Sequence, residues 1–264
     1  MAKNRFFGKY YKFVNGDGFS FAFIKSHANE GDMLQVITPE GAFYLKDPHA
    51  IKVDGEHIEF DVREENLSMV GKLLLGELHP LKHKVMGPFT YLPMECSHEI
   101  YSMFHEVNGS LVVNGKDLDF SGSLGYIEGD KGTNFPSKYI WYNSILPEAT
   151  VTLAIASIPL FGFIHFTGLL CFIKTKDKEY RLCTYNGGKA ITISEKKILI
   201  KKGKLRLSLE VGDLGGQPLK APIKGDMVRY IKENLRIPTK YRLSLGEETL
   251  LENVDAVSSL EYMW

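Results

Sequence analysis

The sequence predicts an all-β protein made of two tandem antiparallel β-barrels. Three observations carry that prediction. Short runs with apolar residues at alternate positions recur along the chain, as half-buried strands require. Turn dipeptides separate them, supplying the positive φ that tight hairpins need. Long stretches of helical periodicity are scarce. At 264 residues, the chain suits one large or two small domains and can bury a core without disulfides or metals.

The elements follow in order. FSFAFI (19–24) places Phe19, Phe21 and Phe23 on one face. HIEFDV (57–62) alternates Ile58, Phe60 and Val62 with polar neighbours. KLRLSLEV (204–211) alternates Leu205, Leu207 and Leu209 with Arg206, Ser208 and Glu210. YRLSL (241–245) does the same. Turns are expected at Asn15-Gly16-Asp17-Gly18, Glu40-Gly41, Asp54-Gly55, Asn108-Gly109, Asn114-Gly115, Asn186-Gly187-Gly188 and Gly203. The segment 226–235 reads as a helix with Met227, Tyr230, Ile231 and Leu235 in a stripe, and alternates tolerably as a strand too. Residues 136–141 read as one short helical turn with Pro136 at its start. The Gly- and Ser-rich stretch FSGSLGYIEGDKG (120–132) is the expected seam, dividing the chain into barrels 1–124 and 125–264.

Composition excludes several classes. Hydrophobic residues are 44% and charged residues 24%, which argues against a disordered chain. Lys plus Arg number 32 and Asp plus Glu 32, so no positive excess favours nucleic-acid binding. Cys96, Cys171 and Cys183 form no metal-ligand spacing and suit a reducing compartment. The N-terminus MAKNRFFGKYYKF has no apolar h-region, so a cytoplasmic protein is expected. The apolar run 151–173 is long enough for a membrane span. Its Pro159, Gly162, His165 and Gly168 fit two buried strands better, with a bend at Gly162 or Gly168.

Two clusters concentrate polar chemistry. The first is GYIEGDKGTNFPSKYIWYNS (125–144). Its Glu128 and Asp130 are two apart, so an extended chain puts both on one face, where close carboxylates can hold a proton for general acid work. Phe135, Tyr139, Trp141 and Tyr142 follow and can wall an apolar ligand. Loop charges beside core aromatics would give the same pattern. The second is GPFTYLPMECSHEIYSMFHEV (87–107), with Glu95, Cys96, His98, Glu99, His105 and Glu106. A carboxylate three residues from a histidine can shuttle protons, and a strand with one wet face also fits. His79 and His83 flank Pro80 without a completing carboxylate, so no metal site is expected. Cys171 and Cys183 read as core thiols. GDGFSF and LGGQPL do not match a phosphate-binding loop, and no GxSxG elbow occurs. EKKILIKKGK (195–204) reads as a solvated hairpin able to touch an anionic surface, with the neutral net charge against strong binding.

The same clusters resemble the tocopherol cyclase-like family. The resemblance lies in MGPFTYLPMECSHEIYSM (86–103), GYIEGDKGTNFPSKYIWYNS (125–144), SIPLFGFIHFTG (157–168), EYRLCTYNGGK (179–189) and LKAPIKGDMVRYIKENL (219–235), in that order. YYKFVNGDGFSFAFI and LQVIT fit the opening strands. It covers nearly the whole chain and looks closest to bacterial members.

The resemblance implies a calycin-type pair of lipocalin-like β-barrels, and a strand rather than a helix at 226–235. It implies closure of a chromanol-type ring on a prenylated substrate, with no redox cofactor and no metal. That reaction needs a carboxylic acid, a dry cavity and aromatic faces near a cation. Glu128, Asp130 and Glu95 match the motif carboxylates as the acid. Tyr126, Phe135, Trp141 and Tyr142 are implied as pocket wall, and His98 or Asn143 as hydrogen-bonding partner of a phenol or quinone head. The chain departs from the motif at Lys131, Thr133 and Gly129, where the family has Trp, Arg and commonly Lys. Two functions follow as expectations: a cofactor-independent cyclase or related isomerase or hydratase, and a non-catalytic lipocalin-like carrier of an isoprenoid. A third, blander expectation is barrels filled by their own side chains. A hydrophobic small molecule is the expected partner. No integral membrane segment is expected, peripheral membrane contact stays open, and no oligomeric state is specified.

Overall fold

The computed structural model describes residues 4–160 and 164–264. They form two ten-stranded antiparallel sheets, the tandem β-barrel-like architecture expected. The first sheet holds β1 (Phe6–Val14), β2 (Ser20–Ala28), β3 (Gly31–Thr38), β4 (Gly41–Leu45), β5 (Ile51–Asp54), β6 (His57–Glu64), β7 (Leu67–Leu75), β8 (Cys96–Val113), β9 (Lys116–Asp119) and β10 (Ser123–Gly132). Their order is β4-β3-β2-β1-β10-β8-β7-β6-β5, with β9 paired to β8. The second sheet holds β11 (Tyr139–Ile145), β12 (Ala149–Leu160), β13 (Ile164–Thr175), β14 (Glu179–Arg181), β15 (Lys189–Ile193), β16 (Lys197–Lys202), β17 (Leu205–Val211), β18 (Gln217–Ile223), β19 (Asp226–Leu245) and β20 (Glu248–Met263). Their order, β14-β13-β12-β11-β20-β19-β17-β16-β15 with β18 paired to β19, repeats the path of the first sheet. In both sheets the opening strand pairs with the last one in sequence.

Each sheet buries one alternating face. The first core gathers Phe13, Phe21, Phe23, Phe60, Phe120 and Ile127, among others, with Phe21 and Phe60 edge to face at 5.9 Å. The second gathers Ile140, Tyr142, Leu153, Cys171, Leu207 and Tyr241, among others. Cys171 and Cys183 are buried free thiols. EKKILIKKGK forms the β16–β17 hairpin, with Lys202 across from Leu205.

Several expectations move. By compactness the chain divides into Met1–Lys84, Cys96–Asn134 and Leu219–Tyr230 in one unit, and Val85–Glu95, Phe135–Pro218 and Ile231–Trp264 in the other. The strand β10 runs through the 124/125 division and stays in the first sheet, so the chain changes unit at Phe135. The segment 226–235 is strand, the start of β19. Tyr230, which a helical stripe would bury, is 61% exposed. Residues 136–141 form no helical turn, because β11 begins at Tyr139 and every one of its residues is buried. The described residues of the run 151–173 belong to the antiparallel pair β12–β13. Gly168 lies inside β13, and Gly162 lies outside the described residues. No helix among the described residues is long and apolar enough to cross a membrane.

Asn108-Gly109 is not a turn but lies inside β8. Gly109 has φ +132°, and a Cβ there would sit 2.2 Å from the Lys72 carbonyl oxygen. The glycine is used for close strand approach instead of chain reversal. Gly109→Ala is therefore expected to lower stability by about 2 kcal/mol. The urea unfolding midpoint measures it, and an unchanged midpoint would refute the close approach.

Candidate functional site

The strand β10 lies between β1 and β8. Its register against β1 is unbroken, so Ile127 turns to the first core while Tyr126, Glu128 and Asp130 share the opposite face. That face is buried too. Tyr126 is fully buried, Glu128 is 5% exposed, and the Asp130 side chain is 23% exposed.

The partner of these carboxylates comes from β8. Gly125 pairs with His105, and that register carried onward would put Ile100 opposite Asp130. Two register shifts, on either side of Ile127, put His98 there. Directly opposed residues bring their Cβ atoms to about 5 Å, and diagonal ones stay within reach of long side chains. His98 accordingly meets both acids. Its Nδ1 lies 3.0 Å from Asp130 Oδ1 and its Nε2 lies 3.3 Å from Glu128 Oε2. The Tyr126 hydroxyl donates to Glu128 Oε2 at 2.5 Å, and the Cys96 thiol donates to Asp130 Oδ1 at 3.4 Å. The result is one chain of contacts: Tyr126, Glu128, His98, Asp130, Cys96.

Its electrostatics are definite. Burial by itself opposes a charged imidazole, but the neighbouring Glu128 and then Asp130 outweigh it and hold His98 well above the ordinary value of 6.5. Two carboxylate oxygens facing the two ring nitrogens favour the imidazolium form. His105 makes the contrast. It is fully buried without a carboxylate, its Nδ1 contacts Ser102 Oγ at 3.0 Å, and burial, then His79, push it down to about 4. It is a neutral core histidine whose Nε2 lies 2.3 Å from where a Cβ on Gly125 would stand.

His98, Glu128 and Asp130 also offer ligand atoms within 4.8 Å of one another. Both ring nitrogens already face acids in this arrangement, and a cation would have to take one from its partner.

The sequence-derived candidates separate into two groups. Tyr126, Glu128, Asp130 and His98 come together in the first unit. Glu95 is exposed, precedes β8 and belongs to the second unit. Phe135, Trp141, Tyr142 and Asn143 also belong to the second unit. Phe135 packs edge-on against Tyr139 with centroids 6.0 Å apart. Trp141 is 6% exposed and Asn143 fully buried. Tyr142 is part of the second core, where burial, then the charge of Asp255, push its phenol up. The sequence reading gave Cys96 and Lys12 no site role. Lys12 is fully buried and stands opposite Tyr126 across the β1–β10 pair. A lysine between apolar neighbours on a strand with two buried faces was the available signal. Of the motif departures, Gly129 has a steric reason, since a Cβ there would stand 2.8 Å from the Gly8 carbonyl oxygen.

No family model matches the chain, and no curated protein matches it in sequence. Solved structures do match. Kievitone hydratase from Nectria haematococca superposes with a TM-score of 0.57 at 11% identity, covering 98% of this chain and 89% of that one. CghA with Sch210972 superposes at 0.61 and 6% identity, covering 97% and 87%. An AttH-type protein from Nitrosomonas europaea superposes at 0.51 and 8% identity, covering 98% and 93%. At such identities the likeness shows the fold, a lipocalin-like one shared with these proteins.

The site makes stability depend on pH. A group raised on folding stabilises fully below its unfolded value, and that stability is lost as pH rises through the folded value. The stability difference between the protein and His98→Gln is therefore expected to be largest below about pH 6.5 and to shrink at alkaline pH. Chemical unfolding across pH measures it. A difference that grows with pH would contradict a charged His98.

Proposed function

We propose that the protein is a cofactor-independent acid–base enzyme that adds an O–H group across a carbon–carbon double bond of a prenylated or polyene small molecule. The product is a closed ring when the hydroxyl belongs to the substrate and a hydrate when it belongs to water. The observation that carries this is His98, held between Glu128 and Asp130 and extended by Tyr126. A hydratase among the solved structures of similar fold supports it.

The proposed step balances within the cluster. The His98–carboxylate unit gives a proton to one alkene carbon, and a hydroxyl oxygen forms its bond to the other carbon. The proton that this oxygen releases returns to the unit, which ends as it began. Asp130, the more open of the two acids, is the group assigned to proton exchange with substrate. Glu128, tied by Tyr126, is assigned to holding the ring. Glu95 is given no role.

The departures at Lys131 and Thr133 favour a second reading, a non-catalytic lipocalin-like carrier of the same ligands. One experiment separates the two. Incubated with prenylquinols and polyenols, Asp130→Asn and Glu128→Gln are expected to lose about 10²- to 10⁴-fold in kcat while still taking up the ligand. Uptake without turnover in the parent protein would establish the carrier. Uptake of none of these compounds would refute both readings.

A further inference from the structure

The three strands at one end of each sheet, equivalent in strand order, carry their exposed charges differently. In the first sheet β5, β6 and β7 set Lys52, Glu59 and Lys72 opposite one another. Lys72 Nζ meets Glu59 Oε1 at 3.1 Å. In the second sheet β15, β16 and β17 set Lys189, Lys201 and Arg206 opposite one another. Where the first sheet alternates plus, minus, plus, the second reads plus, plus, plus.

All three cations are exposed, and none has a hydrogen-bond or ion-pair partner among the described residues. Neighbouring strands are about 5 Å apart, so the three charges span about 10 Å. Like charges directly opposite destabilise a sheet. Three neighbouring cations are answered by acids: Lys197 faces Glu210, Lys240 meets Glu252 at 3.0 Å, and Lys196 pairs with Asp213. Lys204, exposed in the β16–β17 turn, adds a fourth cation beside the row. Ile191, two residues from Lys189 at the break in register, is 54% exposed.

We propose that this row is a docking surface for an anionic lipid bilayer. Local charge decides such contacts, and a neutral chain can carry them. An exposed isoleucine beside cations fits the boundary between headgroups and acyl chains. The choice of a bilayer over other polyanions rests also on the proposed function, since a prenylated substrate partitions into membranes.

The test is cosedimentation of the full chain with vesicles of phosphatidylcholine alone and of phosphatidylcholine with roughly 30% phosphatidylserine, at low salt. Binding is expected to the anionic vesicles alone. Lys201→Glu restores the alternation of the first sheet, so it is expected to keep or raise the thermal midpoint. It is also expected to weaken vesicle binding about 25-fold, at about fivefold for each of the two units of charge. Lys201→Gln should weaken it about fivefold. Equal binding by the variants, no binding to anionic vesicles, or tighter binding to an oligonucleotide would each overturn the proposal. Ligand uptake and turnover in detergent micelles, without vesicles, report on the proposed function separately. Their failure with vesicle binding intact removes the enzyme reading and leaves the surface, and the converse result does the reverse.

Discussion

A charge withdrawn from water inside a sheet must be met by another charge or by hydrogen bonds, or it is neutralised. The first sheet meets this condition around His98. Glu128 and Asp130 lie on the side of β10 away from the first core, and His98 stands between them with a nitrogen on each. Removing the imidazolium would leave a buried and a half-buried carboxylate facing each other. Removing either carboxylate would leave the ring half answered. The register shifts in β8 bring His98 rather than Ile100 opposite Asp130, and the unbroken register of β10 against β1 keeps both acids on one face.

Two histidines of β8, His105 buried and His98 half-buried, show how finely register decides chemistry. His98 and His105 are seven residues apart in one strand, yet their environments drive them in opposite directions. His105 looks onto a glycine and a serine and stays neutral. His98 looks onto two acids, which hold it well above the ordinary value. What separates them is which residue of β10 each one faces, and that is fixed by backbone irregularity between them.

Much of the fold was legible because it rests on period two. Strands such as 57–62 and 204–211 bury one face, and their alternation shows it. The short helical turn at 136–141 failed where both faces are buried, since β11 has no wet side to mark a period. Asn108-Gly109 failed because a glycine serves close approach as well as chain reversal. At the site, the pairing of Glu128 with Asp130 was legible, being a spacing of two within one strand. Their meeting with His98 was not. It is a contact across thirty residues of sequence or more, set by shifts that no local pattern announces. Glu95 shares a motif with His98 and ends up exposed, because β8 starts at the next residue.

The central claim is that His98 is an imidazolium held between Glu128 and Asp130. The most direct test is nitrogen NMR of the histidine side chains in the folded protein at pH 7.5, with His98 assigned through His98→Gln. The account predicts that both His98 nitrogens resonate as protonated imidazolium nitrogens and that Asp130→Asn moves them towards the neutral ring. A His98 already neutral at that pH, with one unprotonated nitrogen, would contradict it.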